Sequence, residues 1–212
     1  MSAIELDSHA DSPVVGKHAR IIRNTGNQVR VSGFSDEIGK PLDAEIVDAV
    51  LCYDCEYTGE SYLLVIRNAI YMKRMAVNLI PPFMMRMAGL DINKCPKFLA
   101  RSPTIEHHSI YFPEEDLRIP LKIQGIILYL PVRSPSNDEM DNIKMSLELT
   151  PQGTIWDPHD SSYQLQEESM MSFNGDIKES APRNFIVSSI SAGRWIHLYL
   201  AKMSSEGHPR WG

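Results

Sequence analysis

Apolar and polar residues alternate with a period of two through much of the first 130 positions, the period of a strand with one buried face. Gln28-Val29-Arg30-Val31-Ser32-Gly33-Phe34 alternates and ends near a glycine, which predicts a strand running into a turn. The stretch from Phe34 to Leu42 holds Ser35, Asp36, Gly39 and Pro41, all turn formers. Glu45 to Tyr53 (EIVDAVLCY) predicts a second strand, and Tyr57-Thr58-Gly59-Glu60 a turn. Ser61 to Met72 (SYLLVIRNAIYM) predicts a long apolar strand or strand pair, rich in β-branched and aromatic residues. Pro81 and Pro82 cannot lie inside a central strand or a helix interior. A short helix that starts at Pro82, runs to Met87 and is ended by Gly89 satisfies both. Ser109 to Phe112 and Leu117 to Leu130 add further strands, with Pro120 marking an edge or a bulge.

The pattern changes after Pro131. Residues 132–182 are polar and interrupted by Pro135, Pro151, Gly153, Pro158 and Pro182, which reads as a linker or weakly ordered tail. Phe185 to Leu200 (FIVSSISAGRWIHLYL) is a last apolar stretch of strand type, with no motif attached to it.

Composition narrows the class of protein. Of 212 residues, 43% are hydrophobic and 23% charged, a balance that separates the chain from disordered sequences. The net charge of −6 argues against nucleic acid as the partner, because phosphate binding calls for a basic surface. No apolar run approaches the roughly 20 residues a membrane helix needs. Three cysteines are too few for a disulfide scaffold, their odd number suits a reducing compartment, and residues 1–10 carry no signal-peptide pattern. The expectation is a soluble cytoplasmic protein that engages neither membrane nor nucleic acid.

The segment that carries chemistry is Asp7-Ser8-His9-Ala10-Asp11, between the short apolar Ala3-Ile4-Glu5-Leu6 and Ser12-Pro13-Val14-Val15-Gly16. Water-based peptide hydrolysis by acids uses two carboxylates that share one proton, since two like charges so close cannot both ionise. The ionised member draws a proton from water and the protonated one polarises the scissile carbonyl. Such an aspartate sits on a tight turn after a strand, followed by a hydroxyl residue and a small residue.

This pattern resembles the active-site turn of the retropepsins, and in particular the protease region of copia-type retroelement polyproteins. Asn68-Ala69-Ile70-Tyr71-Met72 and then Val77-Asn78-Leu79-Ile80 resemble the strand, short connection and Asn-Leu-Leu segment of that group, where the last strand precedes the single helix. Val31-Ser32-Gly33-Phe34 looks like the flap. The resemblance covers about residues 3–130. It implies a mainly β fold: a small closed acid-protease barrel with one short helix and an irregular C-terminal extension. It divides the chain into a protease domain at 1–100, a β-rich extension at 101–131 and a linker or tail at 132–212. It implies an aspartic endopeptidase of a retroelement polyprotein that needs no cofactor and no metal. Asp7 is then the general acid/base and Ser8 its hydroxyl support. His9, Ala10 and Asp11 complete the turn, with Asp11 a buried hydrogen-bonding acid, and Gly33 and Phe34 belong to the flap. One copy of the motif is half a site, so an active enzyme is a homodimer acting on an extended peptide or polyprotein substrate.

The chain departs from the family's pattern at three places. His9 stands where a glycine is expected, which predicts strain or a different turn. Pro81-Pro82 follows Asn78-Leu79-Ile80 in place of a glycine. About six residues precede Asp7, so the N-terminal dimerising strand is expected to be short or missing. These departures keep two alternatives open. One is an inactive retropepsin-like remnant in which Asp7 only caps a turn. The other is a zinc-stabilised binding module built on Cys52, Cys55 and Cys95, with His107 and His108 as further ligands. The methionines at 72, 75, 84, 85 and 87 read as adaptable core.

Overall fold

The computed structural model describes residues 2–31, 41–143, 145–153 and 156–178. Two compact units divide the chain, residues 1–152 and 153–212. The first is mainly β. Its strands are β1 (Ser2–Leu6), β2 (Val14–Val15), β3 (Arg20–Val31), β4 (Leu42–Asp54), β5 (Ser61–Tyr71) and β6 (Asn78–Ile80). After helix α1 (Pro82–Met87) follow β7 (Asp91–Asn93), β8 (Ser109–Phe112), β9 (Leu117–Pro120), β10 (Lys122–Gln124) and β11 (Ile127–Val132). Helix α2 (Asn137–Asn142) and β12 (Ser146–Glu148) complete it.

One mixed sheet runs in the order β10-β11-β1-β6-β2-β5-β4-β3, with β12 added in parallel to β5, and β7-β8-β9 form a separate three-stranded sheet. The placement of β6 decides the site. It lies between β1, to which it is parallel, and β2, to which it is antiparallel. The chain leaving β1 must therefore pass over the end of β6 to enter β2, and residues 7–13 are that passage.

β4 and β5 are buried almost throughout and read as near-continuous apolar runs. With Ile4, Ile80, Met85, Ile110, Phe112, Leu130 and Leu147 they form the core. α1 forms where proline chemistry places it: Pro82 opens it, and Gly89, at φ +87°, ends it in the left-handed region. Pro120 ends β9, an edge strand, where its missing N–H leaves no ladder bond unmade.

Three expectations change. The barrel is not closed. β4 and β11 meet through one bridge, in which Cys52 N donates to Arg133 O at 2.8 Å and Arg133 N donates to Cys52 O at 2.9 Å. β11 stops at Val132, and Pro135 with the helix start at Ser136 turns the chain away before a ladder can form. The short helix α1 is also not alone. The polar stretch after Pro131 contains a capping box, Ser136 with Glu139, that starts α2, and α3 (Ser162–Met170) lies in the second unit. The chain past residue 132 is a linker only in part, since Leu147 and Leu149 are fully buried and β12 pairs with β5. In the second unit, Trp156 stacks on Tyr163 and Met171 bridges to Ile177. The apolar stretch 185–200 lies outside the described residues. No helix among the described residues is long and apolar enough to cross a membrane.

Gly16 follows β2 against the chain before β6. A β-carbon there would sit 2.4 Å from Met75 O and 2.8 Å from Val77 O, both backbone atoms. Gly16→Ala is therefore expected to destabilise the fold by about 2–3 kcal/mol, a steric cost read from the midpoint of urea unfolding.

Candidate functional site

Asp7 sits at the start of the passage between β1 and β2, half-buried, with 37% of its side chain exposed. The His9 backbone N–H donates to Asp7 Oδ1 at 2.9 Å, the two-residue span by which an aspartate closes its own turn. The turn thereby forms without a glycine. His9 is not among the residues with positive φ, which for non-glycines are Asn68, His108 and Asp116 among those described. The expected strain at His9 is absent, and its imidazole Nδ1 lies 3.9 Å from Asp7 Oδ1. Ser8 is exposed, and the bond that Asp7 receives comes from the His9 amide rather than from the Ser8 hydroxyl. Ala10 is half-buried. Asp11, expected as a buried acid, is exposed, because the passage runs over the outside of the β6 end. Gly33 and Phe34 lie outside the described residues; the arms that lead to them, β3 and β4, pair from Arg20 opposite Val50 to Val31 opposite Leu42.

The passage is held from below by Asn78, which is fully buried. Its Oδ1 accepts from Gly16 N at 2.9 Å, and its Nδ2 donates to Ala3 O at 2.9 Å and to Ser2 Oγ at 3.4 Å. One amide thus ties the strand before Asp7 to the chain after it, which is what a turn under load from a ligand requires. Lys94 Nζ donates to Leu6 O at 3.2 Å and fixes the last residue of β1 beside Asp7. The sequence reading placed Asn78 in its strand but gave it no role, and it passed over Lys94. The available signal for Asn78 was a polar residue inside the apolar run Val77 to Ile80.

A second polar group lies inside the sheet. β5 carries a bulge: Ala69 pairs with Val47 and Ile66 with Ala49, so Arg67 and Asn68 together face Asp48. Asn68 takes φ +53°, a region asparagine tolerates. Its N–H donates to Asp48 Oδ1 at 3.0 Å, while Arg23 Nε (2.7 Å) and Arg67 Nη1 (3.4 Å) donate to Oδ2. Arg67 also reaches Glu148 on β12 at 2.7 Å. Burial alone would raise the Asp48 pKa, but the Arg23 hydrogen bond, the Asn68 amide and the two guanidinium charges outweigh it and hold the carboxyl below its ordinary value. This network fastens β3, β4, β5 and β12 together. It is structural, since Asp48 is fully occupied.

The cysteines do not assemble as a zinc site. Cys52 and Cys55 are buried and Cys95 is exposed. The described residues bring together a different trio, Cys52, Asp54 and Glu139. The cation there is already the Arg133 guanidinium, which donates to both carboxylates. Burial pushes the Cys52 thiol up to about 11, away from the thiolate a metal would need. His107 Nδ1 contacts Thr104, and burial followed by the Lys97 charge lowers the His108 pKa.

The acids of these two networks set an acid limit. The Arg133 hydrogen bonds lower Asp54 and take Glu139 down to about 2, while Asp48 is lowered as described. A folded pKa below the unfolded value contributes stability that is present above about pH 4 and lost as pH falls through the folded pKa. The unfolding midpoint is expected to hold steady between about pH 5 and 7 and to fall steadily below about pH 4, as followed by circular dichroism. A midpoint that rises on acidification would contradict it.

A scan of protein-family models, a search of curated proteins and a search of solved structures each return no match for this chain.

Proposed function

We propose that the chain is an aspartic endopeptidase module of the retropepsin type, of the kind found in retroelement polyproteins, acting on an extended peptide as a homodimer. The observation that carries this reading is the Asp7 passage: a partly exposed carboxylate on a self-closed turn, at the end of a three-strand unit in which β6 separates β1 from β2. The order strand, Asp turn, strand, long hairpin, Asn-Leu-Ile strand and short helix supports it, since the resemblance implies the same order. Asp7 of one protomer, ionised, takes a proton from water while Asp7 of the other, protonated, polarises the scissile carbonyl; the attack of water and the return of the proton to the leaving amine need no cofactor. The long β3–β4 hairpin covers the extended substrate, which pairs along it by backbone hydrogen bonds.

The exposed Ser8 favours a second reading, a turn-capping Asp7 in a non-enzymatic remnant. Peptide cleavage between about pH 4 and 6, within the window in which aspartic dyads work, decides between them. Cleavage that a transition-state analogue blocks and that Asp7→Asn removes supports the endopeptidase. Equal behaviour of wild type and Asp7→Asn would sink it.

A further inference from the structure

The proposed chemistry needs two Asp7 carboxylates within hydrogen-bond reach, so the site of one chain is incomplete without a second copy. The copies must meet at the end of the sheet where Asp7 lies, and register says what else lies there. β1 and β11 are antiparallel, with Ser2 opposite Val132 and Glu5 opposite Tyr129. The C-terminal end of β1, which Asp7 follows, is therefore level with the N-terminal end of β11 at Ile127. β10 and β11 form a hairpin closed by the Gln124–Ile127 pair, with Gly125 and Ile126 as its turn. The tip of that hairpin flanks the Asp7 turn. β6 runs parallel to β1, Leu6 opposite Ile80, so α1 also begins at this end, with Phe83 half-exposed.

The tip is apolar and open. Ile126 is 94% exposed, Ile127 47% and Ile123 39%. The turn does not call for this. Gly125 takes φ +62° and Ile126 stays out of the left-handed region, the arrangement of a two-residue turn that requires glycine first and does best with a polar residue second. A β-branched isoleucine in the second place contributes nothing to the turn and leaves its side chain in water. Three such residues at one hairpin tip form a patch of the kind that marks an interface.

We infer that the hairpin tip of Ile126, Ile127 and Ile123 is the surface through which a second copy of this chain completes the site, an inference that rests on the endopeptidase reading. Strand spacing selects the mode of contact. β10 is a sheet edge, and two β10 strands could pair side by side. β1 lies two strands inward, and at about 4.8 Å per strand that arrangement would hold the two Asp7 residues roughly 24 Å apart. A shared proton needs about 3 Å. The copies therefore meet end-on, each tip packing against the Asp7 end of the other, where Phe83 offers apolar surface.

The test is sedimentation equilibrium and peptide cleavage on the full chain, comparing wild type, Ile126→Glu and Ile126→Ser, with circular dichroism to follow the fold. Because Ile126 packs on nothing in its own chain, both variants should fold as wild type does. Ile126→Glu is expected to raise the dimer dissociation constant at least about 30-fold, and Ile126→Ser less, with cleavage per chain falling at low concentration and recovering at high. A wild type that stays monomeric at every concentration overturns the inference, as does an Ile126→Glu protein that dimerises as wild type does. If that variant dimerises and cleaves normally while Asp7→Asn is silent, the surface is wrong and the endopeptidase reading stands. If it dissociates but wild type cleaves nothing, the surface stands and the endopeptidase reading falls.

Discussion

Asp7→Asn is expected to lower peptide cleavage by about 10⁴-fold or more while leaving the unfolding midpoint within about 0.5 kcal/mol of wild type. The two halves of this expectation have separate causes. The amide oxygen of asparagine can still accept the His9 N–H that closes the turn, so the local structure keeps its bond. The amide cannot take a proton from water, so the chemistry loses its base. The shared site adds a sharper test. Mixed dimers of wild-type and Asp7→Asn chains have one carboxylate and no dyad. A threefold excess of the variant, equilibrated with wild type, should leave about one quarter of the wild-type activity, the fraction of wild-type chains that still meet a wild-type partner. A complete site within each chain would leave activity unchanged on mixing, and that result would refute the dimeric mechanism.

Asn78→Leu is expected to cost about 3–5 kcal/mol of stability. Leucine has nearly the same volume, so the loss is polar rather than steric. Gly16 N–H and Ala3 C=O would both lose their partner, Gly16 and Asn78 being buried and the β1–β6 seam closed to water. Each stranded buried group costs about 1–3 kcal/mol. The comparison that isolates the amide is Asn78→Asp, which keeps an acceptor for Gly16 N–H and loses the donor to Ala3 C=O. Urea unfolding should rank wild type above Asn78→Asp at acidic pH, and both above Asn78→Leu. If Asn78→Leu unfolds at the wild-type midpoint, the clamp has no role in holding the Asp7 passage.

The elements most legible in the sequence are those that local chemistry specifies. The helix from Pro82 to Met87 follows from a proline that can only begin a helix and a glycine that can leave one. β4 and β5 follow from apolar runs too rich in β-branched residues for any helix of that length. The Asp7 turn was also legible, although its mechanism was not. The motif suggested a missing glycine and strain at His9, whereas the carboxylate closes the turn itself and His9 keeps an ordinary backbone. The capping box at Ser136 was equally local and was hidden only by the surrounding prolines.

Sequence by itself determined the mainly β character, the strand and turn positions of the first half, and one aspartate on a turn after a short strand. Those depend on neighbours within a few residues, through backbone sterics and hydrophobic period. Tertiary structure alone decided that β6 lies between β1 and β2, that Asn78 ties Ala3 to Gly16, that Asp48 is caged by Arg23 and Arg67, and that the hairpin tip at Ile126 stands beside Asp7. Each of these joins residues 13 or more positions apart, and nearly all of them far more. Their pairing is selected by which buried polar groups find partners and which apolar faces find cover, and no window of the sequence contains both sides of that choice.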